Sequence, residues 1–131
     1  MEQDVRWKQR YNNFQKAMLQ LKDIIEKENL NKIELQGLVQ CFEYSFELAW
    51  KTMKDYLEIM GYEINSPRRT IQTAFIAGII DDGHLWIEAL EKRNLMSHTY
   101  DEKIFEEVVK LIREKYYDML NNLYNKLSSV E

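Results

Sequence analysis

Apolar side chains in this chain recur at alternating steps of four and three, a spacing that only a helix brings onto one face. In the first such stretch Trp7, Tyr11, Phe14, Met18, Leu21 and Ile25 form a single stripe. In the second, Leu35, Val39, Phe42, Phe46, Ala49, Met53, Tyr56 and Met60 do the same. In the last, Ile104, Phe105, Val108, Leu111, Ile112, Met119, Leu120, Leu123 and Leu127 run nearly to the end. No segment alternates apolar and polar residues long enough to argue for a strand. Turn chemistry agrees, because four Gly and one Pro in 131 residues are too few for the reversals of a sandwich or barrel. An all-α chain is expected.

Punctuation sets the helix ends. Asn31 with Glu34 three residues later is a capping box, in which each side chain satisfies the other residue's backbone amide. It opens the second helix, which stops at Gly61 after roughly 40 to 45 Å. Ser66-Pro67 starts a short helix that runs to about Gly78, and Asp81-Asp82-Gly83 break the chain. A fourth helix carries Leu85, Trp86, Ala89, Leu90 and Leu95 toward Met96 and ends near Ser97. Thr99 with Glu102 reads as a second capping box for the last helix. Three long helices and one of medium length, joined by short turns, predict an antiparallel bundle. No repeat or linker divides residues 1–131, so one domain is expected.

Charge narrows the partners. Lys and Arg number 18 and Asp and Glu 22, a net charge of −4, so a broad basic face that binds by counterion release is excluded. Any nucleic-acid site must be local. Cys41, the single cysteine, cannot close an intrachain disulfide, and its neighbours Val39, Phe42 and Phe46 suggest a small buried thiol. The charged start of the chain lacks the apolar core of a signal peptide. The longest apolar stretch, around 74–80, is far below the roughly 20 residues that span a bilayer. A cytoplasmic protein with no membrane partner is expected. Sixteen aromatic residues, with Tyr116, Tyr117 and Tyr124 flanking the last helix's stripe, exceed what one bundle of this size readily buries. A symmetric homodimer is inferred.

Zinc, P-loop and dinucleotide signatures are missing, and two His with one Cys make a tetrahedral zinc site improbable. What remains is one concentrated segment, Arg93-Asn94-Leu95-Met96-Ser97-His98-Thr99-Tyr100. Arg93 is a permanent cation whose fork can hold two phosphate oxygens and offset charge on a phosphorane-like transition state. His98 follows in the expected connecting turn, and an imidazole with an unperturbed pKa of about 6.5 exchanges protons near neutrality. Together they equip a chain for metal-free RNA cleavage. Two copies of His98 in a dimer cleft would supply both acid and base. The same residues also admit a structural reading, in which Arg93 complements a helix dipole and His98 bonds to backbone. Asp101 and Glu102, in the first turn of the last helix, would repel an incoming phosphate.

Glu43, Glu47, Trp50 and Lys54 share a stripe beside the second helix's core stripe, and Lys51 lies four residues after Glu47. They are either solvated salt bridges or the wall of the same groove, with Glu47 and Lys51 holding the catalytic side chains or a partner. Arg68 and Arg69 are an adjacent basic pair that fits RNA backbone, an acidic partner or plain solvent. His84 is expected to face solvent.

The Arg93-x4-His98-x-Tyr100 pattern resembles the signature of HEPN ribonucleases, in particular HepT toxins paired with minimal nucleotidyltransferase antitoxins. Further segments, 42–51, 66–68, 74–75 and 93–101, resemble the branch known as nucleotidyltransferase substrate-binding proteins, in order along nearly the whole chain. The resemblance implies a HEPN-like, homodimeric, up-and-down four-helix bundle with an extra short helix. It implies Arg93 and His98 in an intersubunit cleft, Arg93 orienting phosphate and His98 acting as acid and base, with no cofactor or metal. It implies Tyr100 as acceptor of AMP from the partner nucleotidyltransferase, and Asn94 as a residue that orients Arg93 or contacts ribose. The competing expectation is a non-catalytic subunit that binds RNA or nucleotide for a separate nucleotidyltransferase, which the acidic net charge favours.

Overall fold

A computed structural model describes residues 2–98 and 101–130. Its elements are α1 (Glu2–Glu26), α2 (Lys32–Ile59), α3 (Pro67–Ile76), α4 (Gly83–His98) and α5 (Glu102–Leu111), then a π-helical turn (Ile112–Tyr116) and α6 (Tyr117–Ser128). The last three form one continuous rod. Contacts across the helices give their directions. Arg10 meets Asp55, Cys41 meets Ala17, and Ile24 lies against Gly37, so α1 and α2 run antiparallel. Tyr11 meets Tyr124 while Arg113 donates to the Ile25 carbonyl, so the last rod runs antiparallel to α1. Glu88 meets Tyr116 and Lys92 meets Glu107, which sets α4 against the rod in the same way. The result is an all-helical up-and-down bundle of α1, α2, α4 and the rod, with α3 as the short extra helix. No helix among the described residues is long and apolar enough to cross a membrane.

The expected caps of α2 and α3 are present. Asn31 and Glu34 exchange side-chain bonds with each other's amides, and Ser66 accepts from Arg69 ahead of Pro67. Gly61 and Gly78 end α2 and α3 with φ of +101° and +79°, a left-handed turn that L side chains enter only with strain. The amides of Tyr62 and Ile79 then fold back onto the Leu57 and Ala74 carbonyls. The last rod departs from expectation: Asp101, not Thr99, is its N-cap, and accepts from the amides of Lys103 and Ile104. Glu102 is thus the first helical residue, too early to close a capping box. Thr99 itself lies outside the described residues.

The core follows the predicted stripes, with α2 at its centre. Phe14, Leu21, Phe42, Phe46, Met53, Ile112 and Leu120 are fully enclosed. Three apolar predictions fail at the edges or gain a different role. Met60 is the C-cap of α2 and half exposed, and Leu95 faces solvent. Tyr116 is completely buried, so it adds nothing to the surface aromatics on which the dimer inference rests. A π turn explains its burial. The amide of Tyr117 bonds back to the Ile112 carbonyl, so one extra residue enters the turn and the stripe stays in phase.

Tyr116 stacks on Phe42 at 5.4 Å and donates its hydroxyl proton to Glu88 Oε1 of α4 at 2.7 Å. Burial, reinforced by the Glu88 carboxylate, pushes the phenol far above its usual value of 10.0. The unfolded chain ionises near that ordinary value and the folded chain does not, so stability falls as pH rises above about 10. Tyr116→Phe should flatten this alkaline decline, measured as melting temperature against pH. At neutral pH it should cost about 1.5 kcal/mol for the lost bond to a charged acceptor.

Candidate functional site

The site is built where α2 and α4 cross. Glu47 occupies the face of α2 one turn before Trp50 and Lys51, and its carboxylate gathers donors from both helices. Oε2 accepts a close hydrogen bond from Arg93 Nη1 and a 3.0 Å bond from the Trp50 indole. Oε1 pairs with Lys51 Nζ at 3.1 Å. Burial pushes the Glu47 carboxyl up, but donation from Trp50, Lys51 and Arg93 outweighs it and holds the group below the usual range. Glu43, one turn earlier, goes the other way: desolvation raises it and the nearby Arg93 charge only partly offsets this. Two carboxylates on one helix face are thus pushed apart in acidity by their surroundings.

Arg93 is clamped on several sides. Its guanidinium carbon lies 5.7 Å from the centre of the Phe46 ring, and Nη2 donates to Asn94 Oδ1 at 3.2 Å. Nε is buried with no hydrogen-bond partner among the described residues. A guanidinium carries five N–H groups, so one on each terminal nitrogen remains for a ligand. Ser97 donates its hydroxyl to the Arg93 carbonyl at 3.1 Å. Lys92, next to Arg93, pairs with Glu107 at 2.9 Å and ties α4 to α5.

His98 is the last residue of α4 and is exposed, where a connecting turn was expected. In an ideal helix, residues five apart lie about 140° apart around the axis and about 7.5 Å along it. No hydrogen bond joins Arg93 to His98 among the described residues. Asn94 bridges the gap: it takes a guanidinium bond and sits one turn before His98 on the same face. The arrangement offers a fixed cation and a solvent-reachable imidazole at one end of α4.

Arg93, Asn94, Glu43, Glu47 and Lys51, proposed from sequence, are therefore assembled together. Tyr100 lies outside the described residues. Trp50, expected on the stripe beside the core stripe, is buried, and its indole donates to Glu47. Lys54 pairs with Glu58 at 3.2 Å, and Arg68 with Glu91 at 3.9 Å. His84 is exposed, and Cys41 is half-buried against the Ala17 carbonyl with its thiol pushed up by desolvation. Two contributions escaped the sequence reading. Phe46 is legible in the sequence only as core, yet it is the platform beneath Arg93. The pairing of Arg10 with the buried Asp55 joins two helices far apart in sequence, and no local spacing signals it.

Residues 9–129 match the family described as nucleotidyltransferase substrate binding protein like. A Haemophilus influenzae protein named probable ribonuclease HepT is 32% identical over 74 residues. That stretch is 53% of this chain and 51% of the relative, so the chain spans about half the length of the curated protein it matches. A crystal structure of a Thermus thermophilus protein superposes with a TM-score of 0.80 at 29% identity, covering 87% of this chain and 98% of that one.

Proposed function

Since the chain belongs to the nucleotidyltransferase substrate-binding-protein-like family, with a HepT ribonuclease among its relatives, we propose that it cleaves RNA without a metal ion. The observation that carries this is a clamped Arg93 and an exposed His98 on the same end of α4. His98 of one copy removes the proton from a ribose 2′-hydroxyl, and the oxygen attacks the adjacent phosphorus. Arg93 offsets the charge that builds on the phosphoryl oxygens. His98 of a second copy protonates the departing 5′-oxygen, which leaves a 2′,3′-cyclic phosphate and a free 5′-hydroxyl. The reaction thus requires a two-fold dimer in which the two α4 ends share a cleft. Glu47 and Asn94 act as positioning residues for Arg93, and Lys51 completes the network.

In this reading the protein is a toxin held in check by a minimal nucleotidyltransferase that transfers AMP to Tyr100. An adenylate two residues from His98 adds bulk and negative charge where RNA phosphate must sit. Purified protein should degrade RNA in EDTA, followed by gel, and the activity should fall once partner and ATP have raised the mass by one AMP at Tyr100. A requirement for added divalent metal would defeat the cleavage reading, and an unchanged Tyr100 the toxin reading. A second reading draws on the Glu47 carboxylate that already neutralises Arg93: a subunit that binds RNA or nucleotide for a nucleotidyltransferase and cleaves nothing. Nucleotide binding without RNA breakdown under those conditions would select it.

A further inference from the structure

A recess of about 240 Å³ opens between α1 and α2, lined by Arg10, Trp50, Lys51, Lys54 and Asp55. Three of its five lining residues are cations, in a chain whose net charge is −4. Asp55, only 5% exposed, is the foundation: Arg10 Nε lies 3.2 Å from its Oδ2, without hydrogen-bond alignment. Burial pushes the Asp55 carboxyl up, while the charges of Arg10, Arg6 and Lys54 pull it down and the Glu58 carboxylate opposes them. Asp55 thus holds Arg10 by its inner edge, and the four N–H groups of the terminal nitrogens have no partner among the described residues.

Lys54 and Lys51 are each engaged by one carboxylate, Glu58 and Glu47 respectively, and an ammonium carries three donors. The recess therefore keeps spare donors from three cations around one small space. Its volume falls below the usual range for a whole drug-sized ligand, so a single phosphoryl group fits and a complete nucleotide does not. Trp50 and Lys51 belong both to this recess and to the Glu47 network that clamps Arg93.

We propose that the recess formed by Arg10, Lys51 and Lys54 beside Trp50 is a second phosphate-binding subsite, next to the one at Arg93. Only the source of the phosphate, an RNA backbone or a nucleotide, rests on the function proposed above. The subsite itself does not, since binding needs no cleavage.

The test is a titration of the whole chain with pyrophosphate at constant ionic strength, observing the Trp50 indole N–H by NMR, assigned by its loss in Trp50→Phe. A saturable shift is expected. Lys54→Gln should weaken it about tenfold, the equivalent of one charge-assisted contact. Arg10→Gln combined with Asp55→Asn, which removes both charges and strands neither, should abolish it. No saturable shift, or one that survives in both variants, overturns the subsite and leaves the cleavage reading standing. Repeating the titration with an RNA oligonucleotide and with ATP separates the sources. Tighter RNA binding, whose salt dependence loses a slope of about 0.7 in Lys54→Gln, assigns the site to backbone phosphate. Tighter ATP binding assigns it to a nucleotide.

Discussion

His98→Ala should reduce RNA cleavage by about 10²- to 10⁴-fold, the usual contribution of a positioned general acid or base. The fold should survive, because His98 is exposed at the end of α4 and takes no part in the core. Surface substitutions of this kind shift stability by about 0.5 kcal/mol or less, so melting temperature and helical circular dichroism should match the parent. An intact fold with lost activity would locate the defect in proton transfer. Cleavage that persists at the parental rate would remove His98 from the reaction and with it the need for two α4 ends to meet. Mixing His98→Ala with parental protein adds a further reading. A cleft that uses both imidazoles leaves mixed dimers inactive, so activity falls faster than the parental fraction, whereas independent sites lose it in proportion.

Phe46→Ala should be the most damaging core substitution near the site. Phe46 is fully enclosed, with Phe42 at 5.9 Å and Trp86 at 5.6 Å between ring centres, and Arg93 above it. Truncation of such a side chain costs about 3 to 5 kcal/mol, a large share of the roughly 5 to 15 kcal/mol that holds a domain together. A fall in melting temperature on the order of 10 °C or more should follow. Phe46→Leu keeps most of the volume and should cost under about 1.5 kcal/mol, yet it removes the ring face beneath the guanidinium. Activity lost in the leucine variant at a temperature where it stays folded would mark Phe46 as Arg93's platform. Stability and activity falling in step would reduce it to packing.

The two residue sets differ in how far they could be read before folding. Trp7, Tyr11, Phe14, Met18 and Leu21 announced a buried stripe because a helix repeats every 3.6 residues and burial follows that period. Asn31, Glu34 and Ser66 announced their caps because the bonds they make reach only three residues along the chain. Tyr116 sits four residues after Ile112 and four before Leu120, on the stripe itself; what spacing could not supply is the Glu88 acceptor on α4 that lets its hydroxyl be buried. Thr99 and Glu102 matched the pattern of a capping box, but Asp101 stands one residue before the first helical position and accepts two amides itself.

Around Arg93, local spacing marked Glu43, Glu47 and Lys51 as neighbours on one helix, and put Arg93 and Asn94 near the end of another with His98 in the turn beyond it. It could not say that Glu47 would close on Arg93, since the two are 46 residues apart and meet only through the crossing of α2 and α4.

Composition and periodicity by themselves determined an all-helical chain and most of its core, because these depend on contacts within a few turns of one helix. Tertiary structure alone decided the rest: that Glu47 and Phe46 hold Arg93, and that Arg10 reaches a buried Asp55. Those contacts depend on how separate helices pack, and packing is set by the shape and charge of whole surfaces.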